Sequence, residues 1–162
     1  MIELYHGSNV SVHFPEIIKP KKTLDFGKGF YTTSSLEQAT KWAVNKTKII
    51  GSGHPFVSVF SVPDNYLSDS ELRVLDFPKA NEEWLDFVIA NRTNPSFMFD
   101  YDIVRGAVAN DRVYASINAY ESGFMNKKDL LRELRTWVYV DQILFHTEKA
   151  LKILSFIKDI EL

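Results

Sequence analysis

The run FVSVFSV (56–62) alternates like a strand, its apolar residues broken by two serines. The closing SFIKDIEL (155–162) has the same alternating character, and IELYHGS (2–8) reads as a first strand ending in a Gly-Ser turn. Strands therefore gather toward both ends of the chain, with helical patterns mainly between them. Strands and helices do not alternate strictly, which argues against a doubly wound parallel sheet. The pattern predicts an α+β fold with mostly antiparallel sheets. No repeat, low-complexity tract or linker divides the sequence, so residues 1–162 are read as a single domain.

The other elements follow from local chemistry. VHFPEIIKPKKT (12–23) carries two prolines and reads as loop or edge, whereas GFYTT (29–33) is strand-like. Ser34 is placed to cap the next helix, with Glu37 three residues on as the returning half of a capping box. Leu36, Ala39, Trp42 and Ala43 give that helix an apolar face. GSGHP (51–55) is a turn and LRVLDF (72–77) a further strand. NEEWLDFVIANR is a helix capped by Asn81, with Trp84, Phe87 and Val88 on one side. YDIVRGAVA (101–109) is a buried strand running to an Asn110-Asp111 turn, and DRVYASINAYESG is a helix stopped by Gly123. NKKDLLRELR is a short helix, TWVYVDQILFHT (136–147) a strand and EKALKIL (148–154) a helix.

Composition narrows the chemistry. At 162 residues the chain can bury a real core, and its formal net charge of -2 supplies no global field for a polyanion. A nucleic-acid partner stays possible but is not indicated by charge. Cysteine is absent, which removes disulfides, thiolate nucleophiles and cysteine-ligated zinc, and fits a reducing, cytoplasmic setting. MIELYHGSN is neither basic nor continuously apolar, so no signal peptide is expected. No apolar run approaches the roughly 20 residues of a membrane span, so no membrane partner is expected.

Three stretches carry candidate chemistry. His6 in LYHGS ends a strand just before Gly7. It is either a hydrogen-bonded structural residue or one held beside a ligand that the Gly7 backbone can approach closely. In FGKGFYTT, two glycines exceed the needs of one turn, and Tyr31 follows as a stacking surface for a planar ring. The Thr32–Ser35 hydroxyls and the helix start can hold a polar or anionic group, or simply cap. Gln142 lies in an apolar strand. It faces water at an edge or is placed to hydrogen-bond something, and its residue type alone favours the solvent side. His13, His54 and His146 lack metal-ligand spacing, and no metal is expected. GKG falls short of a dinucleotide fingerprint and precedes a strand. Glu82-Glu83 suits a helix first turn, and NKKDLLRELR a solvated face.

Taken in order, LYHGS, FGKGFYTT running into a helix, and DQILFHT resemble the three motifs of the ADP-ribosyltransferase superfamily, in its histidine–tyrosine branch. DYDIVRGAVANDRVY and DQILFHTEKALKILSF are similar to a bacterial branch of small domains often encoded beside a short partner gene, as toxin–antitoxin pairs are. The resemblance spans nearly the whole chain. It implies two mostly antiparallel sheets forming an NAD cleft, flanked by helices, with NAD as co-substrate. It implies catalytic roles for His6, Tyr31 and Gln142: His6 on a ribose hydroxyl, Tyr31 stacked on nicotinamide, Gln142 at the third motif. The Gly7 backbone would hold the carboxamide, and Ser8, Gly29, Phe30, Thr32 and Ser34 would complete the NAD-binding set. Many relatives carry glutamate where Gln142 stands; an amide hydrogen-bonds a ribose but cannot act as a carboxylate base. The implied activity is mono-ADP-ribosyl transfer to a macromolecular acceptor, with a small cognate antitoxin as partner. The alternatives are an NAD glycohydrolase and a catalytically inactive NAD-binding or protein-interaction module.

Overall fold

The computed structural model describes residues 1–19 and 24–162; the end of the stretch expected to be loop or edge, residues 20–23, lies outside it. Among the described residues the chain order is β1 (Ile2–Ser8), β2 (Phe30–Thr32), α1 (Leu36–Ile50), β3 (Phe56–Val62), β4 (Val74–Asp76) and α2 (Glu82–Thr93). It continues with β5 (Ile103–Ala107), α3 (Asp111–Glu121), α4 (Lys127–Leu134), β6 (Asp141–Phe145), α5 (Glu148–Leu151) and β7 (Ser155–Glu161). One sheet has the order β1-β3-β7, the other β2-β6-β5-β4. Every pairing is antiparallel except β4 with β5, which are joined through α2. The α+β expectation and its mostly antiparallel sheets hold.

Alternation along the strands sorts the molecule into layers. On the outer face of the first sheet, Val57 and Val59 pack with Ala39 of α1. Its inner face presents Leu4, Phe60 and Val62 to Phe30, Ile103, Ile143 and Phe145 of the second sheet. The other face of the second sheet meets the helices, where Val104 and Leu144 cluster with Trp84, Val88, Val113, Ile117, Leu130 and Leu134. At about 1.5–3 kcal/mol for each fully buried large side chain, these two layers dominate the favourable side of folding.

Gly7 fixes how closely α1 lies on β1. A Cβ there would stand 2.1 Å from the Ala39 carbonyl oxygen and 2.9 Å from the Ala43 nitrogen. The missing side chain thus serves helix packing, where the sequence suggested ligand approach.

Several expectations are corrected. Ser35, not Ser34, caps α1, its side chain accepting from the Gln38 amide at 3.1 Å. Leu36, assigned to the buried face of that helix, is 43% exposed. Asn110 does not make a turn but caps α3 by accepting from the Val113 amide. LRVLDF supplies only the three residues of β4, and EKALKIL only the single turn of α5. TWVYVDQILFHT yields strand only over Asp141–Phe145. Before it, Trp137 and Tyr139 pack onto the helix-side core, and the Tyr139 hydroxyl donates to the Leu134 carbonyl at 2.6 Å.

Candidate functional site

The two sheets are stitched edge to edge by one bridge, in which Tyr5 and Thr33 exchange both backbone hydrogen bonds at 2.9 Å. In an antiparallel strand, alternate residues turn both backbone groups to the same neighbour. Gly7, two residues beyond Tyr5 in an unbroken register, therefore points its N–H and C=O past the bridge, on the side away from β3. There β1 and β2 part, and among the described residues no backbone group pairs with Gly7 on that side.

His6 occupies the fork. Its Nδ1 lies 2.7 Å from the Tyr31 carbonyl oxygen. A carbonyl only accepts, so Nδ1 carries the proton and Nε2 of the neutral ring is an acceptor. The ring stacks on Phe30 with centroids 4.1 Å apart and planes 22° apart. Burial lowers the His6 pKa to about 4, outweighing the opposing hydrogen bond to Tyr31, so the imidazole is neutral at physiological pH. No described residue bonds Nε2.

Tyr31 joins the fork to a second polar cluster. Its hydroxyl donates to the Gly27 carbonyl at 2.6 Å and accepts from the Phe26 N–H at 3.2 Å. Burial raises its pKa well above the ordinary tyrosine value. The glycine turn is therefore tied down. The Lys28 carbonyl takes the His146 Nδ1–H at 2.8 Å, and the Gly29 N–H reaches the Ile18 carbonyl at 3.3 Å. Both glycines have structural duties. Gly27 has φ 80°, and Gly29 has φ 146° with its Cβ direction 2.6 Å from the Phe145 carbonyl oxygen.

Gln142 is 4% exposed, which overturns the solvent-facing reading. Its Nε2 donates to Asp25 Oδ2 at 2.9 Å and to the Ala107 carbonyl at 3.2 Å. With two acceptors around the NH₂ group, the amide orientation is fixed and its Oε1 is left without a described donor. Asp25, 5% exposed, also accepts from the Ala109 N–H at 3.1 Å and from the Tyr114 hydroxyl. Burial raises the Asp25 pKa, while its hydrogen bonds from Tyr114, Gln142 and Ala109 pull the other way. The Arg92 guanidinium lies 4.1 Å over the Tyr114 ring. Asp25 was passed over in the sequence. It immediately precedes the glycine motif, but nothing local links it to a glutamine 117 residues away.

The remaining candidates divide. Phe30 (3% exposed) is the floor beneath His6, and Ser8 (2%) is buried at the end of β1. Thr32 is fully buried and donates its hydroxyl to the Ile143 carbonyl at 2.9 Å, so it offers a ligand nothing. Ser34 is exposed, its hydroxyl bound to Asp141 Oδ1 at 2.7 Å. The fork thus gathers His6, Gly7, Phe30 and Tyr31, with Gln142 beyond Tyr31 and not bonded to His6. A cavity of about 210 Å³ beside Arg105, Tyr139 and Asp141 includes neither His6 nor Tyr31. Among the described residues no group of three or more metal-ligating side chains is assembled, and no helix is long and apolar enough to cross a membrane.

Comparison with protein families gives a match over residues 2–156 to a family described as "Protein of unknown function (DUF3990)". No curated protein matches the chain in sequence.

Proposed function

The chain belongs to the DUF3990 family of proteins of unknown function, and we propose that it is a mono-ADP-ribosyltransferase using NAD as co-substrate. The observation carrying this reading is the fork. A donor and an acceptor on the Gly7 backbone stand beside the Nε2 acceptor of a neutral His6, over a fixed aromatic floor. A primary carboxamide needs one donor and one acceptor in line, which Gly7 offers. A ribose hydroxyl needs an acceptor, which His6 Nε2 offers. The residues present therefore fit the nicotinamide–ribose half of NAD. Tyr31 contributes its carbonyl to the fork from β2, while its ring packs against the helix-side core.

NAD supplies the scissile bond between nicotinamide and ribose. The chain's residues contribute positioning and electrostatics, with no covalent intermediate required. The Gln142 Oε1 can accept from a ribose hydroxyl but brings no charge to a developing oxocarbenium ion. Asp25, bonded to that amide, is the nearest buried carboxylate. The acceptor in this reading is a macromolecule, and the protein acts as a bacterial toxin whose small cognate antitoxin covers the fork. A glycohydrolase would differ only in using water as acceptor.

Incubating the protein with NAD labelled in its adenylate half, together with cell lysate, tests the reading. Label retained on macromolecules is the expected result. Release of nicotinamide without labelled macromolecules turns the assignment to a glycohydrolase. An NAD-binding module without turnover is the second reading, favoured by the burial of Gln142 and the engagement of its amide hydrogens. Calorimetry with NAD on wild type, His6→Ala and Tyr31→Ala separates it. Identical behaviour of all three toward NAD would remove the fork from consideration.

A further inference from the structure

A second concave site lies on the opposite flank of the second sheet, independent of the NAD reading. Helix α2 places Glu83, Asp86 and Phe87 along one wall, and the chain entering β5 places Phe97, Phe99 and Tyr101 along the other; together they border a cavity of about 390 Å³. The rings brace one another. Phe87 and Phe97 meet edge to face with centroids 5.8 Å apart, Phe87 and Phe99 at 5.1 Å, and Phe99 and Tyr101 at 6.3 Å. These rings are only part-buried, although aromatics of this size gain most by complete burial.

The chemistry of the walls selects the occupant. Aromatic faces carry negative potential and attract a cation, and Glu83 and Asp86 add carboxylates at the rim. Asp86 is already paired with the Lys127 ammonium at 3.1 Å, which also lies 2.8 Å from Glu82, so Glu83 is the rim carboxylate without an ion-pair partner among the described residues. Leu75, in the middle of β4, lines the same cavity, and β4 is the outermost strand of its sheet. Its outer edge has no partner strand among the described residues, and an extended segment laid there would send alternate side chains toward the cavity.

We propose that this slot binds a lysine or arginine side chain carried on an extended segment of a partner protein that adds to the β4 edge. The probes are the peptide Ac-Val-Lys-Val-NH₂ and its norleucine counterpart, which keeps the alkyl chain and lacks the charge. Each is titrated into the full-length protein to 10 mM while backbone amide and aromatic side-chain NMR signals are followed. Shifts at Val74–Phe77 and Phe97–Tyr101 with the lysine peptide are expected, with about tenfold weaker binding of the norleucine peptide. Glu83→Gln, an exposed change that leaves the core intact, should weaken the lysine peptide about threefold and the norleucine peptide not at all. Equal binding of both peptides, shifts confined to other surfaces, or no shift at 10 mM would each overturn the proposal.

Discussion

His6 and Gln142 are polar residues on strands of opposite sheets, and the fold treats them differently. His6 uses one ring nitrogen to hold the Tyr31 carbonyl and keeps the other without a described partner. Gln142 commits both amide hydrogens, to Asp25 and to the Ala107 carbonyl, inside a buried network that also takes the Tyr114 hydroxyl and the Ala109 N–H. One residue is oriented by the protein for something else to meet. The other chiefly orients the protein itself. A polar side chain in an apolar strand is thus not informative by type; what distinguishes the two is how much bonding capacity remains after folding.

The sharpest break would come at the fork. Gly7→Ala drives a Cβ into backbone atoms of α1, which cannot rotate away as a side chain can. A loss of about 3 kcal/mol or more is expected in urea unfolding. A loss below about 1 kcal/mol would mean that β1 and α1 are less tightly docked than described.

Titration probes the same corner without mutation. The native His6 pKa, about 4, lies below the ordinary unfolded value near 6.5, so the unfolded chain binds more protons between these limits. Stability is therefore unaffected by His6 above pH 6.5 and lost as pH falls toward 4, by on the order of 2–3 kcal/mol. His6→Gln should flatten that part of the pH–stability profile. An unchanged profile would show that His6 is protonated freely in the native state.

The buried network comes next. Asp25→Asn removes the carboxylate that receives three donors, leaving at least one unsatisfied, and should cost about 2 kcal/mol. Gln142→Glu would set a second carboxyl against Asp25. It should destabilise the protein more at pH 8 than at pH 5, since like charges disfavour joint ionisation. Equal destabilisation at both pH values would mean that the amide is not needed to separate charges.

Smallest is Tyr31→Phe, which removes the hydroxyl bonds to Gly27 and Phe26 but keeps the ring. It should cost about 1 kcal/mol. NAD affinity retained by Tyr31→Phe and lost by Tyr31→Ala would assign the ring to the ligand and the hydroxyl to the turn.

The strands were most legible in the first sheet. Ile2–Ser8 and Phe56–Val62 agree with the sequence reading end to end. Phe56–Val62 is nonetheless buried on both faces, by α1 on one and the second sheet on the other, so its strand pattern came from its two serines and not from a solvated face. TWVYV misled because aromatic and β-branched residues suit a strand and also suit a loop laid over a helical core; Val138 within it is 97% exposed. The helix start was misplaced by one residue because Ser34 and Ser35 are equally able to cap. The choice was made by Asp141, more than a hundred residues away, which takes the Ser34 hydroxyl. At the site, His6 and Tyr31 were marked by neighbouring glycines, but Asp25 owes its importance wholly to partners distant in sequence.

The strand orders carry a consequence for assembly. Each sheet joins a strand from the first 62 residues to one from beyond residue 140: β3 to β7, and β2 to β6. The pairings span about a hundred residues, and the intervening chain must close before either sheet is complete. Long loops closed late make for slow folding. Both walls of the fork are therefore present in the nascent chain long before β2 gains the strand that braces it, so a competent fork appears only when the final strands arrive.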